Sequence, residues 1–212
     1  MLIDCSAQEM TVIHFDAKFK SEKLQLNKVY DLNGNNIKIE HFKLYISDMV
    51  YLKNDSIVHV SKKMAHLINL SDSNTMAISE KALLEFDAIR FKIGIDSITS
   101  VSGIYANDLD PTNGMYWTWQ SGYINFKLEG TASNCPARLN KFQWHIGGYM
   151  SPFNAQREVE LKCKKKAALT IDIQIDEMFH KVDVSKIYQV MSPGIQAMEI
   201  ADGLPFIFKL KD

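Results

Sequence analysis

Alternation of apolar and polar residues is the feature that most constrains the fold of this chain. Within residues 11–19, the positions that share one face are Thr11, Ile13, Phe15, Ala17 and Phe19. The positions between them are Val12, His14, Asp16 and Lys18. A period of two residues is that of a β-strand with one buried face. We therefore predict a strand whose apolar side enters a core and whose His14 side faces away from it.

The rest of the chain also reads as short strands divided by turns. Further strands are predicted at 24–30, 37–51 with a bend near 47–48, 57–60, 86–95, 116–128, 141–146, 158–163, 169–175 and 204–210. Helical turns are predicted at 79–85, 176–179 and 196–201. We expect residues 1–9 to form a tail and 10–212 to form a single all-β domain, a two-sheet antiparallel β-sandwich with a few short helical turns.

Composition excludes several functional classes. The 212 residues carry a net charge of −1, so no global field favours nucleic acid or anionic lipid. No apolar run is long enough to cross a bilayer, and the first residues lack the pattern of a signal peptide. Cys5 is then either a lipid-anchor cysteine left after trimming or a free thiol. Cys135 and Cys163 could pair if the chain is exported.

Motifs of common enzymes are missing from the sequence. It has no G-x-S-x-G, no P-loop, no dinucleotide glycine pattern and no H-E-x-x-H. No carboxylate pair stands out as a general acid and base. We therefore expect a protein that is not an enzyme.

Tryptophans and a methionine converge within residues 109–129. In an extended strand Met115, Trp117 and Trp119 would lie on one side. A buried indole N–H needs a hydrogen-bond acceptor. The spacing of these residues is, by itself, typical of a bulky sandwich core.

His145 is the histidine that most merits attention. In the predicted strand 141–146, Phe142, Trp144 and Ile146 share the core side, so His145 should point away from that core. The following Gly147 would let another group approach the backbone closely. Imidazole suits copper, zinc or iron; the alternative is a solvent-facing histidine.

Several motifs, in one order along the chain, resemble those of the MbnP-like family, also described as metallo-mystery pair proteins. The matching segments are 42–47, 67–70, 90–96, 109–111, 114–119, 121–123, 127–130, 145–148 and 205–208. The family is generally exported. This resemblance implies a periplasmic, outer-membrane-associated or extracellular protein, with a possible lipid anchor at Cys5.

The resemblance also implies a chemistry. The related copper-binding MopE and CorA proteins hold copper with histidines and a kynurenine made by oxidising a tryptophan. In this sequence Trp117 resembles the tryptophan that is modified in those proteins. His145 is the histidine that matches their pattern best. The implied partner is an MbnH-type diheme protein of the cytochrome c peroxidase family. In the MopE and CorA type a histidine follows two residues after the modified tryptophan, where this chain has Trp119.

A second nitrogen ligand would therefore have to come from another strand, and His14 and His41 are the candidates. His59, His66 and His180 are weaker candidates that read as surface or packing residues. An indole has only a donor and cannot take the place of a histidine.

The loop 108–114 is a possible calcium site. Its oxygens resemble a calcium loop, but the glycine spacing and the missing distal glutamate depart from the EF-hand. Asp110-Pro111 followed by Asn113-Gly114 is more typical of a turn.

The leading hypothesis is an exported copper-binding or copper-handling protein. The alternative is an interaction module without metal, in which the tryptophan strand is structural core.

Overall fold

Two β-sheets pack face to face in the computed structural model, which describes residues 10–81, 85–103, 105–118, 120–164 and 168–211. The smaller sheet contains β1 (Met10–Phe19), β2 (Glu22–Lys23), β7 (Ala77–Lys81), β13 (Ala168–Gln174) and β15 (Phe208–Leu210). The larger contains β3 (Val29–Leu32), β4 (Asn35–Lys53), β5 (Ser56–Val60), β6 (Ala65–Asn69), β8 (Ala88–Ile93), β9 (Tyr116–Thr118), β10 (Gly122–Ala132), β11 (Lys141–Gly147), β12 (Arg157–Lys162) and β14 (Gln189–Val190). The predicted all-β sandwich is confirmed.

Helices are short. They are α1 (Ser97–Val101), α2 (Asp176–Lys181) and α3 (Ile195–Gly203), with 3-10 turns at Ser73–Thr75, Asn107–Leu109, Pro111–Asn113, Arg138–Asn140 and Leu204–Ile207. The helical turns predicted at 176–179 and 196–201 are confirmed by α2 and α3.

Strand order explains how the larger sheet is organised. The long strand β4 runs through its middle, beside β10 and β8 on one side and β3, β6 and β5 on the other. A left-handed Asp48, φ 49°, lies where the pairing of β4 with β8 shifts register. This is the bend predicted near residues 47–48. The sheets are mixed, because β1 pairs parallel with β13 and β11 parallel with β14.

The main core lies between the two sheets. In β1 the alternation is as predicted, with Ile13, Phe15, Ala17 and Phe19 at 1% exposure or less. The larger sheet contributes Phe42, Leu44, Ile46, Phe126, Leu128, Phe142, Trp144 and Ile146 from β4, β10 and β11. The indole N–H of Trp144 donates to the Ile187 carbonyl at 2.8 Å, so this tryptophan is a satisfied core residue.

A second apolar cluster covers the outer face of the larger sheet. Its buried members are Tyr45, Ala65, Leu67, Ile95, Leu109, Met115, Tyr123 and Ile124. The hydroxyl of Tyr45 donates to the Asp108 carbonyl at 2.9 Å, and that of Tyr123 donates to the Leu109 carbonyl at 3.0 Å. These bonds attach the segment before β9 to the sheet, so one edge of this outer face is shielded from solvent.

Four predicted elements are wrong, wholly or in part. Of the strand predicted at 204–210, only Phe208–Leu210 is a strand, because Leu204–Ile207 form a 3-10 turn. Residues 24–30 are not one strand, because a left-handed Asn27, φ 64°, interrupts them between β2 and β3. Residues 79–81 belong to strand β7, where Ile78 enters the main core and pairing with β1 overrides local helix propensity; residues 82–84 lie outside the described residues. Residues 116–128 fold back as the hairpin β9–β10, which turns into β10 at left-handed Gly122, φ 72°.

Candidate functional site

Three neighbouring strands bring two of the predicted histidines to one carboxylate. In the ladder of β4, β10 and β11, Glu129 is the Cα partner of His41, and Lys127 is the partner of His145. All four side chains lie on the face opposite the main core, since their strand neighbours are the core residues. His145 therefore points away from the main core, as predicted. It is nevertheless 6% exposed and not a solvent-facing histidine.

Glu129 is the centre of this arrangement. Its Oε1 lies 2.5 Å from His145 Nε2 and 3.5 Å from Lys127 Nζ, and its Oε2 lies 3.9 Å from His41 Nε2. The hydrogen bond from His145, followed by the charges of Lys127 and the two histidines, lowers the pKa of Glu129 to about 2 against the opposing effect of burial. The carboxylate is thus ionised at neutral pH and holds one strong hydrogen bond to imidazole.

Trp117 lies on the same outer face. A Cβ added to Gly147 would be 2.9 Å from Cζ3 of Trp117 and 2.4 Å from the Tyr123 carbonyl oxygen. Only a glycine leaves room for the indole ring there, as the sequence predicted for this position. Because Gly147 follows His145 by two residues in β11, ring and imidazole share one side of the strand. The structure therefore places Trp117 on the same face of the larger sheet as the His145–Glu129–His41 cluster, over a position two residues along β11 from His145.

The indole N–H of Trp117 is buried and lacks a hydrogen-bond partner among the described residues. The ring packs against the second apolar cluster, in which Met115 is fully buried. A buried donor without an acceptor is costly, and native proteins rarely retain one. Trp119, the residue in which this chain departs from the MopE and CorA pattern, lies outside the described residues.

His14 is not brought to this site. It is exposed on β1, between Thr170 of β13 and Ala77 of β7, and points outward from the smaller sheet. The whole sandwich therefore separates it from Trp117, which lies over the outer face of the larger sheet. His14 is better placed as an experimental control than as a ligand.

The weaker histidine candidates lie elsewhere. His66 pairs with the core residue Ile46 and faces inward, and burial lowers its pKa to about 4. His59 Nε2 is 3.5 Å from Glu80 Oε2, which ties the edge of one sheet to the other. His180 is exposed on α2. These positions agree with surface or packing roles.

The loop proposed for calcium is closed by the protein's own donors. Asp110 Oδ1 accepts from the backbone N–H and the hydroxyl of Thr112, at 2.8 and 2.7 Å. Asp108 Oδ2 accepts from Lys63 Nζ at 2.7 Å, and the Asn113 carbonyl accepts from Lys43 Nζ at 2.7 Å. Two ammonium groups at these oxygens disfavour a cation, so the geometry is that of a turn latched to the sheet.

The two described cysteines do not pair. Cys135 and Cys163 are both buried free thiols. Cys135 Sγ donates to the Lys141 carbonyl at 3.2 Å, and burial raises the pKa of Cys163 to about 11. The possible disulfide is thus absent from the structure, and Cys5 lies outside the described residues.

Sequence reasoning missed Glu129 as a site residue. In the sequence, residues 127–130 stand out only as part of a family motif, and no carboxylate pair stands out as a general acid and base. The available signal was the alternation of Lys127 and Glu129 with the apolar residues of β10, which places two charges on one face of a central strand. What could not be read was which neighbouring strands lie beside that face.

Fold and site together define a class of protein: an all-β sandwich that keeps a tryptophan, two histidines and a carboxylate on the outer face of its larger sheet. The sequence model of the MbnP family matches residues 8–192, so this chain belongs to the MbnP family.

The same fold is found in a solved structure, MbnP from Methylosinus trichosporium. The two chains are 12% identical, with a TM-score of 0.68 over 96% of this chain and 98% of that one. At this identity the similarity shows the fold alone. No curated protein is detectably similar in sequence.

Proposed function

We propose that this protein handles copper, holding one ion beside Trp117 on the outer face of the larger sheet. The observation that carries the proposal is that His145 and His41 meet at Glu129 on the face where Gly147 seats the indole of Trp117. Family membership supports the link to copper. The role we propose is one of binding and transfer, without catalysis of its own.

The donors present fit copper in part. Two imidazoles are suitable ligands, but the indole of an unmodified tryptophan only donates. Across the described segments, no three His, Cys, Asp or Glu side chains assemble as a metal-binding group. The carboxylate beside these histidines is already engaged by His145 and Lys127. Within the described residues no further His, Cys, Asp or Glu completes a metal-binding group with them, so the site needs another donor.

Oxidation of Trp117 to kynurenine would supply that donor. Two equivalents of hydrogen peroxide, each reduced to water, would open the indole C2–C3 bond and place one oxygen on each of the two carbons. Hydrolysis of the resulting N-formyl group would release C2 as formate, so the residue exchanges one carbon for one oxygen and carries an aryl amine and a ketone. We propose a diheme cytochrome c peroxidase-like protein, using peroxide, as the oxidising partner. The unpartnered N–H of Trp117 marks the ring as the part of the site that unmodified protein leaves unsatisfied.

Intact mass and copper content test the proposal together. The chain is expressed with and without the diheme protein of the same organism, purified, digested and mapped. We expect the carbon-to-oxygen mass change at Trp117 and stoichiometric copper only after co-expression. Trp144, whose N–H is already paired, should stay unmodified.

Variants locate the ligands. His145→Ala and His41→Ala should each reduce copper content strongly, whereas His14→Ala, on the opposite side of the sandwich, should not. Unmodified tryptophan and no copper after exposure to the partner would reject the proposal.

A second candidate is an interaction module without metal. Its support is the packing of Trp117, with fully buried Met115, into the second apolar cluster. Wild type and Trp117→Phe, both co-expressed with the diheme protein, separate the two. The module predicts no copper in either protein and a less stable variant, whereas the copper proposal predicts copper in wild type and none in Trp117→Phe.

We also propose that the protein works outside the cytoplasm, in the periplasm, at the outer membrane or beyond it. None of the helices in the described part of the chain has the length and apolarity that a bilayer crossing requires. Cell fractionation of the native host, with mass analysis of the residue at Cys5, tests both the location and the lipid anchor.

A further inference from the structure

We infer that Glu129 is the positioning residue of this site: its carboxylate holds the proton of His145 on Nε2, so that Nδ1 is the ring atom available to a metal. The binding of a metal at Nδ1 rests on the proposed function. The position of the proton on Nε2 rests on the geometry of the described residues.

The short contact between the two side chains assigns the proton. His145 Nε2 and Glu129 Oε1 are 2.5 Å apart, and the imidazole is 6% exposed. An ionised carboxylate only accepts hydrogen bonds, whereas a neutral imidazole has one N–H and one lone pair. The nitrogen facing Glu129 must therefore carry the hydrogen, and the lone pair lies on Nδ1. A metal that took Nε2 instead would have to displace the carboxylate.

Local charge explains why a carboxylate is needed at this position. Lys127 lies directly across the ladder from both Lys43 and His145. Its ammonium group is 3.5 Å from Glu129 Oε1. Without the carboxylate, two lysines and two histidines would share one half-buried surface, and a copper cation would be repelled. Glu129 thus sets the tautomer of one histidine and reduces the positive charge around both.

The first measurement is the tautomer of His145 in metal-free protein. Nitrogen-resolved NMR of the imidazole at neutral pH distinguishes a protonated ring nitrogen from a bare one. We expect His145 to carry its proton on Nε2 in the wild-type protein. In Glu129→Gln we expect a mixture of both tautomers, because an amide can donate as well as accept. Glu160→Gln, which removes a strand carboxylate paired with Arg90, should leave the His145 signals unchanged.

The second measurement is affinity for copper(I), titrated alone under anaerobic conditions against a competing chelator, in protein already processed at Trp117. Loss of a carboxylate that orients a histidine ligand typically weakens binding about 10- to 100-fold, which we expect for Glu129→Gln and not for Glu160→Gln. Glu129→Asp keeps the charge but shortens the side chain, so it should fall between wild type and Glu129→Gln and covers the case of a poorly folded glutamine variant.

The outcomes separate this inference from the proposed function. Wild-type protein that binds copper with a bare Nε2, or a Glu129→Gln variant with unchanged tautomer and affinity, overturns the positioning role while copper handling stands. Processed wild-type protein that takes up no copper overturns both.

Discussion

At the scale of single residues, the site depends on what each strand position faces. His145 could be assigned from the sequence to the side of β11 away from the main core, because the alternation of Phe142, Trp144 and Ile146 is local. Its burial and its partner Glu129 could not, since both come from strands that the chain places beside β11 only in three dimensions. The sequence also indicated that Gly147 would let a neighbouring group approach the backbone, and this role can be tested directly.

Gly147→Ala should destabilise the protein and displace Trp117. The new Cβ would lie 2.4 Å from a backbone oxygen and 2.9 Å from the indole ring, and overpacking of this kind costs about 1–3 kcal/mol. Urea unfolding checks the free energy. Gly194→Ala is the matched control, because an added Cβ there meets nothing within 4 Å. Equal midpoints for the two variants would contradict the proposed seat for Trp117.

His66 should make stability depend on pH. Burial, and then the charge of Lys63, lower its pKa from 6.5 to about 4, while Asp108 and Glu80 act in the opposite direction. The unfolded chain takes up a proton near pH 6.5 and the folded protein does not until about pH 4, so stability is complete above pH 6.5 and is lost as the pH falls through that window.

The expected loss is on the order of 2 kcal/mol. It is measured as the change in unfolding free energy between pH 7 and pH 5, above the ordinary pKa values of Asp and Glu. His66→Leu should flatten the dependence, and His14→Gln, at an exposed position on β1, should not. The same slope in all three proteins would show that His66 is not the group responsible.

At the scale of elements, strands with regularly alternating apolar residues could be predicted from the sequence, whereas the points at which the chain reverses direction could not. Strand β1 and the long bent strand β4 follow their apolar patterns closely. Residues 116–128 carry an equally strong pattern, yet they form two strands, because the hairpin buries Met115 and Trp117 against the sheet that β10 belongs to. Strand β7 forms in place of the predicted helix for a related reason. Backbone hydrogen bonds to the edge of β1 stabilise the strand, whereas an isolated short helix is only marginally stable.

The loop 107–114 should open when its lysine latch is removed. Lys43 Nζ donates to the Asn113 carbonyl at 2.7 Å from a half-buried position where burial lowers its pKa. A hydrogen bond from a charged group contributes about 1.5 kcal/mol or more, so Lys43→Met should raise amide exchange across this loop roughly tenfold.

Hydrogen exchange with mass spectrometry measures the effect. Lys92→Met removes another lysine of the same sheet, which pairs with Asp48, and should leave exchange in the loop unchanged. Slow exchange in both variants would show that the tyrosine hydroxyls and the bonds to Asp108 hold the segment without Lys43.

At the scale of the whole molecule, the fold class could be predicted and the topology could not. Alternating segments, few helices and frequent turns predict a sandwich, because each strand must bury one face. They say nothing of which strands are neighbours. The separation of His14 from His41 and His145 follows from the distribution of strands between two sheets, which no local pattern contains. Of the two possible second histidines, only His41 therefore lies on the face that carries Trp117.

The parallel pairing of β1 with β13 has a consequence for synthesis. Val12 lies beside Ala168, and β1 is flanked on its other side by β7 and β2. Strand β1 therefore acquires its full set of neighbours only when β13, far later in the chain, is available. Contacts so distant in sequence slow folding, and a chain that ends before residue 168 exposes one edge of β1. We expect chains truncated before β13 to stay bound to chaperones that recognise extended apolar segments, and chains that contain β13 to be released from them.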